Sequence, residues 1–162
     1  MFNKWNELEY LDLSYFMIWV VNVCNKLKEI KGIKSLNTNQ VTNMNSMFQD
    51  CHEIEYLDLS NFNISKVNDM GLMFNGCHKL KEIKGVDIFN TNKVRNMEAM
   101  FQDSHYLEYL YLSNFNISKV NDKRAIFNEC YKLKEIKGIN NYKQNMIQIF
   151  IQCFKIFMNS NI

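Results

Sequence analysis

Proline is absent from this 162-residue chain, and glycine occurs only 5 times. No stretch therefore reads as a Pro- or Gly-rich tether, and the chain reads as one domain. Neither sign of charge dominates: 19 Lys and Arg stand against 17 Asp and Glu. A nucleic-acid-binding domain carries a basic patch or stripe that this balance does not suggest. Long apolar runs are missing too. The longest, Met17 to Val21, falls far short of the roughly 20 residues that span a bilayer as a helix. The N-terminal MFNKWNELEY has no apolar core of a signal peptide. Cysteine is odd in number, 5 in all, which argues against a disulfide framework. Hydrophobic residues make up 47% and charged residues 22%, a composition that excludes a disordered chain and fits a folded one.

What is present is a repeat. Cys24, Cys51, Cys77, Cys130 and Cys153 all occupy one slot, which follows a hydrophobic pattern best seen as M-x-x-M-F and precedes a Leu or Ile by three residues. Ser104 holds the same slot after Met97–Met100–Phe101. Units begin at Met17, Met44, Met70, Met97, Lys123 and Met146, at steps of 27, 26, 27, 26 and 23 residues. A period of this length signals a stack of structural repeats. Cysteines that recur with it are parts of a scaffold before they are parts of a site. The expected fold is a repeat solenoid of α/β type, with about six coils of 26–27 residues. Residues 1–162 form one unit: a partial coil 1–16, coils starting near 17, 44, 70, 97 and 123, and a truncated last coil 146–162.

Each coil reads alike. The Met44–Met47–Phe48 spacing is helical and predicts a short helical turn, while alternation at Leu57 and Leu59 predicts a strand on the other face. Asn43, Asp69, Asn96, Asp122 and Asn145 precede the helical turns as N-caps. Asn37, Asn63, Asn90 and Asn116 form a second ladder, placed to bond the backbone of the next coil. One coil cannot bury its apolar side chains alone, so coils stack, and their strands form a parallel sheet with rungs about 4.8 Å apart. Two coil types alternate, one carrying LEYLDLSNF and the other LKEIKGI or LKEIKGV, so that 41–93 and 94–146 are near copies. Gly32, Gly85 and Gly138 fall in the second type, whose loop is one residue longer. A bulge there passes the inward role to Ile33, Val86 and Ile139.

These residues resemble the BspA-type leucine-rich-repeat surface proteins. The shared motif is M-x-x-M-F-x-x-C-x-x-L-x-x-L-x-L-S-N-F, seen at Met44 through Phe62, with NTNQVTNM and NISKVNDM as loop segments. The likeness covers nearly the whole chain. It implies a leucine-rich-repeat solenoid and a cell-surface or secreted protein that binds host or neighbouring molecules. It supplies no catalytic residues. Set against surface display is the lack of a visible export signal.

With Leu57 and Leu59 inward, alternate residues face out. One outward column is Tyr10, Glu29, Tyr56, Glu82, Tyr109, Glu135; the next is Asp12, Lys31, Asp58, Lys84, Tyr111, Lys137; the corner before the strand gives Glu9, Lys28, Glu55, Lys81, Glu108, Lys134. Alternating sign avoids the repulsion that identical charges would meet on neighbouring strands. Tyr10, Tyr56, Tyr109 and Tyr111, with Asp58 and Glu82, make the candidate binding face, since Tyr is enriched at recognition surfaces. The competing account is a solvated face on which tyrosines pack over Glu and Lys neighbours. The Tyr109/Tyr111 pair, where Tyr replaces Asp in the charge column, is the strongest local candidate.

Other chemistry is not expected. Cys51–His52 and Cys77–His78 are adjacent and diverge at a corner, whereas a zinc site needs converging ligands; exposed histidines beside a buried thiol ladder, with no metal, are the expectation. No cysteine is distinguished from its copies as a nucleophile, so no enzyme activity and no cofactor are expected. Asn63-Ile-Ser65 and Asn116-Ile-Ser118 match the N-glycosylation pattern through repeat copying. Asn145 to Met158 reads as a short helix over the last coil whose apolar surface offers self-association. The expected function is a non-catalytic protein-interaction or adhesion module with a protein partner. The alternatives are a truncated or decayed repeat-gene product with no independent function and, more remotely, a metal-binding protein or thiol enzyme.

Overall fold

The computed structural model describes residues 9–12 and 24–138. The cysteine slot at Cys153, the cap at Asn145, Ile139, and the first and last helical turns lie outside these residues. Six three-residue strands follow one another: β1 (Tyr10–Asp12), β2 (Glu29–Lys31), β3 (Tyr56–Asp58), β4 (Glu82–Lys84), β5 (Tyr109–Tyr111) and β6 (Glu135–Lys137). They pair in parallel, Leu57 opposite Ile83 and Leu110 opposite Ile136. Pairing stops at twos among the described residues: β1 with β2, β3 with β4, β5 with β6. The continuous parallel sheet expected from the repeat is therefore divided into three.

The division follows the longer coil type. Gly32 and Gly85 adopt left-handed φ values of 73° and 86°, and each opens a 3-10 turn, Ile33–Ser35 and Val86–Ile88. A Cβ on Gly85 would lie 2.5 Å from the Ser60 backbone, so the chain leaves β4 pressed against the coil before it. That close approach admits only glycine. Ile33 and Val86 then turn into the core, 7% and 1% exposed. The extra residue is spent on a turn, and the strand that follows does not pair with its predecessor.

The opposite side of each coil corrects the sequence reading. No α-helix occurs among the described residues, and the M-x-x-M-F segments are runs of turns. Ser46, Asp50, Leu72, Ala99, Asp103, Ala125 and Glu129 all have φ between 52° and 60°. Met47-to-Met44 and Cys51-to-Phe48 amide bonds, each 3.3 Å, close the two turns of one coil. With φ positive at their third residue, these are turns of the type II kind. The left-handed residues aim alternate amides along the stack. Met44, Ser46, Phe48 and Asp50 donate to Asp69, Gly71, Met73 and Asn75 at 2.8–2.9 Å. The next coil repeats this, Met70, Leu72, Phe74 and Gly76 donating to Asn96, Glu98, Met100 and Gln102. A helix would keep those bonds within its own coil; here they join one coil to the next. The i, i+3, i+4 apolar spacing is shared by both conformations, because both put Met44, Met47 and Phe48 on the inside.

The cap residues serve turns instead of helices. Asn43, Asp69, Asn96 and Asp122 each accept, through Oδ1, the amide two residues on, at 2.7–3.2 Å, the Asx-turn arrangement. These four also form a continuous row of parallel bridges, Asn43 to Asp69 to Asn96 to Asp122. Inside, Phe48, Phe74, Phe101 and Phe127 stack with centroids 5.3–5.7 Å apart and planes within 13°. They are at most 3% exposed and form the spine of the core.

Candidate functional site

The cysteine slot is a hydrogen-bonding position as well as a packing one. Cys24, Cys51, Cys77 and Cys130 are buried thiols. Cys77 Sγ donates to the Phe48 carbonyl at 3.1 Å and Cys130 Sγ to that of Phe101 at 3.0 Å. Ser104 Oγ donates to the Phe74 carbonyl at 3.0 Å. The slot requires a small donor reaching the preceding coil, which is why serine replaces cysteine there. Burial pushes the Cys77 thiol well above its ordinary range, and a hydrogen bond with Cys24, together with burial, does the same for Cys51. Cys51 and Cys77 are thereby held as thiols, the less reactive form, while the hydrogen bond with Cys51 shifts Cys24 downward.

The second asparagine ladder bonds differently from expectation. Oδ1 of Asn37, Asn63, Asn90 and Asn116 accepts the amide two residues on. Its contact between coils is to a side chain and not to backbone: Asn63 Nδ2 reaches Asn39 Oδ1 at 2.8 Å, and Asn116 Nδ2 reaches Asn92 Oδ1 at 2.7 Å. The asparagine side chains that reach backbone across coils are others. Asn61 and Asn114 donate through Nδ2 to the Lys34 and Asp87 carbonyls, each at 3.1 Å. Buried Thr38 and Thr91 accept the Asn63 and Asn116 amides.

On the strand face, Tyr10, Tyr56, Tyr109 and Tyr111 are 45–58% exposed, and Glu82 is exposed. Ion pairs cross each strand pair at the same place: Lys28–Glu9 at 2.9 Å, Lys81–Glu55 and Lys134–Glu108 at 2.6 Å. Asp58 departs from the outward reading. It is only 6% exposed, enclosed by Lys34 Nζ at 2.6 Å, Lys84 Nζ at 3.8 Å, the Ser60 hydroxyl at 2.7 Å and the Ser60 amide at 3.1 Å. The Lys34 ammonium and then the Ser60 hydroxyl hold its carboxyl well below the usual carboxylate range. Alternation gave its side of the strand correctly but could not show a lysine from the preceding coil folding over it. Asp58 is thus an enclosed carboxylate that closes the face.

Fifty-three residues on, both members of that closure differ. Asp87 stands at the Lys34 position and Tyr111 at the Asp58 position. Between β4 and β5 lies a groove of about 680 Å³, with Lys81, Lys84 and Asp87 on one strand's side and Tyr106, Tyr109 and Tyr111 on the other. Glu82 and Glu108 also line it; Tyr10 and Tyr56 do not. The tyrosines are steadied by the following coil, with Lys132 Nζ 3.6 Å from the Tyr106 ring centroid, Lys134 5.7 Å from Tyr109 and Lys137 5.5 Å from Tyr111. Exposed Ile88, 51% accessible, follows Asp87 on the same turn.

The histidines are not simply exposed. His52, His78 and His105 stack at 4.2 and 4.7 Å with planes within 9°, and Tyr131 continues the column at 4.9 Å. Stacking leaves the His52 and His105 side chains 32% and 30% accessible. Burial and its two imidazole neighbours lower the His78 pKa. The cysteines bond into the core while the histidines stack outside it, so no Cys–His pair converges. Among the described residues a different group meets, Asp103, His105 and Glu129, whose members come from two coils and were not brought together by the motif.

These features define a chain of stacked, mutually bonded coils with an open junction between β4 and β5; among the described residues no helix is long and apolar enough to cross a membrane. The chain belongs to the family described as Mycoplasma protein of unknown function, DUF285, whose pattern matches residues 17–105 and again 58–161. The two overlapping placements reflect the repeat. No curated protein and no solved structure matches the chain.

Proposed function

We propose that this chain is a leucine-rich-repeat solenoid, akin to the BspA-type surface proteins, that acts as a non-catalytic protein-interaction or adhesion module. The observation that carries the reading is the groove between β4 and β5. It joins three exposed tyrosines to lysines and carboxylates of both signs. Tyrosine offers large contact area with few rotatable bonds, and a recess flanked by polar side chains lets such anchors desolvate fully on binding. The cation–π contacts from the following coil fix the rings before any partner arrives, which lowers the ordering cost of association. The reading is one of recognition by a rigid display of side chains. The partner is a protein, and surface placement rests on the motif resemblance.

The test compares the wild-type chain with Y109A/Y111A. Proteins retained by immobilised wild type are identified, and their Kd is measured against both forms. The double variant binds at least ten-fold more weakly while its circular dichroism and melting temperature stay unchanged. Equal affinity of both forms for every retained protein would overturn this site.

A further inference from the structure

The column on the outer corner carries a second feature, unrelated to the groove. Asp50, Gly76, Asp103 and Glu129 occupy one position on successive coils, and His52, His78, His105 and Tyr131 another. Only one histidine in this set has a carboxylate both on its own coil and on the next. His52 has Asp50 but faces Gly76 above; His78 follows Gly76. His105 has Asp103 on its own coil and Glu129 on the following one. The three can each present one ligand atom with all of these atoms within 4.8 Å of one another.

Four further details fit a built site. His105 Nε2 is shut off from solvent and has no hydrogen-bond partner, although buried polar nitrogens are almost always paired. Its nearest ion-pairing oxygen, Asp103 Oδ1, is 3.8 Å away, too far for a hydrogen bond. The outer carboxylate oxygens are restrained from behind. Tyr131 donates its hydroxyl to Glu129 Oε2 at 3.0 Å, and the Gln102 amide reaches Asp103 Oδ2 at 3.4 Å. Such outer hydrogen bonds orient carboxylate ligands in metal centres. Asp103 and Glu129 both sit at left-handed positions, φ 60° and 59°, so the turns that join the coils also place both carboxylates.

The geometry points to a divalent transition-metal site of the zinc class formed by Asp103, His105 and Glu129. One imidazole nitrogen and two carboxylate oxygens make a three-ligand set that leaves a fourth position to solvent. Ligand atoms around such an ion sit at about 2.0–2.2 Å from it, so the three atoms, within 4.8 Å of one another, close in on binding. The ion would tie the coil beginning at Met97 to the one beginning at Lys123 and pair the unpartnered His105 nitrogen. The thiols take no part, since Cys130 Sγ is engaged with the Phe101 carbonyl.

The test uses the full chain without an affinity tag, titrated with Zn²⁺ by calorimetry and with Co²⁺ by absorption. Wild type binds one equivalent, and the Co²⁺ spectrum shows weak d–d bands with no intense thiolate charge-transfer band. H105N loses binding, E129Q weakens it at least ten-fold, and H52N leaves it unchanged. Circular dichroism establishes that each variant is folded. Absence of binding below millimolar Zn²⁺, equal affinity in folded H105N, or a strong thiolate band would each overturn the assignment.

Discussion

The junction between β2 and β3 and the junction between β4 and β5 are built from near-identical sequence, yet one is closed and the other open. Both follow a left-handed glycine and a 3-10 turn, and both are crossed by an asparagine amide bonded to the turn backbone. In neither do the flanking strands pair. At the first, Lys34 folds over Asp58 at 2.6 Å. At the second, Asp87 and Tyr111 stand in those places, and the gap is a groove edged with tyrosine. The backbone makes the gap, and two side chains decide whether it is filled. A repeat can therefore leave a recess at one copy of a position while using the same position for closure at another.

The largest expected effect breaks the frame both junctions share. Phe74 is stacked between Phe48 and Phe101 and fully buried. Phe74→Ala is expected to cost about 3–5 kcal/mol, read as a lowered urea midpoint. Gly85→Ala tests the origin of the gap. It combines left-handed φ with a Cβ driven against the Ser60 backbone, and a loss of about 2–3 kcal/mol is expected. An alanine substitution at an exposed surface position without such constraints stays within about 0.5 kcal/mol.

Acid sensitivity separates the junctions more finely. The folded pKa of Asp58 is depressed by Lys34 and Ser60, so its stabilisation is present above the unfolded value of about 3.9 and is lost as pH falls through the folded value. Wild type is expected to lose stability as pH drops below about 4, and Asp58→Asn to flatten that limb in melting curves taken from pH 5 to pH 2. At the second junction Tyr111 stands in the Asp58 place, so that carboxylate is missing there. The smallest effect concerns the turns beneath both. Ala125 has φ 54°, so Ala125→Gly is expected to raise stability by about 0.5–1 kcal/mol by relieving left-handed strain. In a helix the same change would lower stability by about 1 kcal/mol. The sign of the change in melting temperature distinguishes the two conformations.

Much of the stack was legible in the sequence because stacking copies every inward position at one period. The inward Met, Phe, Cys and Leu slots, the register of Tyr56 with Glu82 and the inward place of Val86 all follow from aligning units, whereas the bulge expected at Gly85 is a left-handed residue that opens a 3-10 turn. The helical turns were misread because Met44, Met47 and Phe48 meet the core at the same spacing in a helix and in paired turns. Gly76, which shares a column with Asp50, Asp103 and Glu129, was the available sign of a left-handed position. The divided sheet and the burial of Asp58 were not legible, since both depend on how the turn after Gly32 and Gly85 displaces the next strand. The meeting of Asp103, His105 and Glu129 crosses two coils, and a comparison of the Asp50 and His52 columns side by side would have shown it.

We propose that the junction between β4 and β5 recognises a partner because Asp87 and Tyr111 leave it open. The most direct measurement is the affinity of a partner retained by wild type for D87K/Y111D, which installs the Lys34–Asp58 pair at the second junction. Binding at least ten-fold weaker, with an unchanged or raised melting temperature, is the predicted result. Wild-type affinity in the folded double variant would contradict the account.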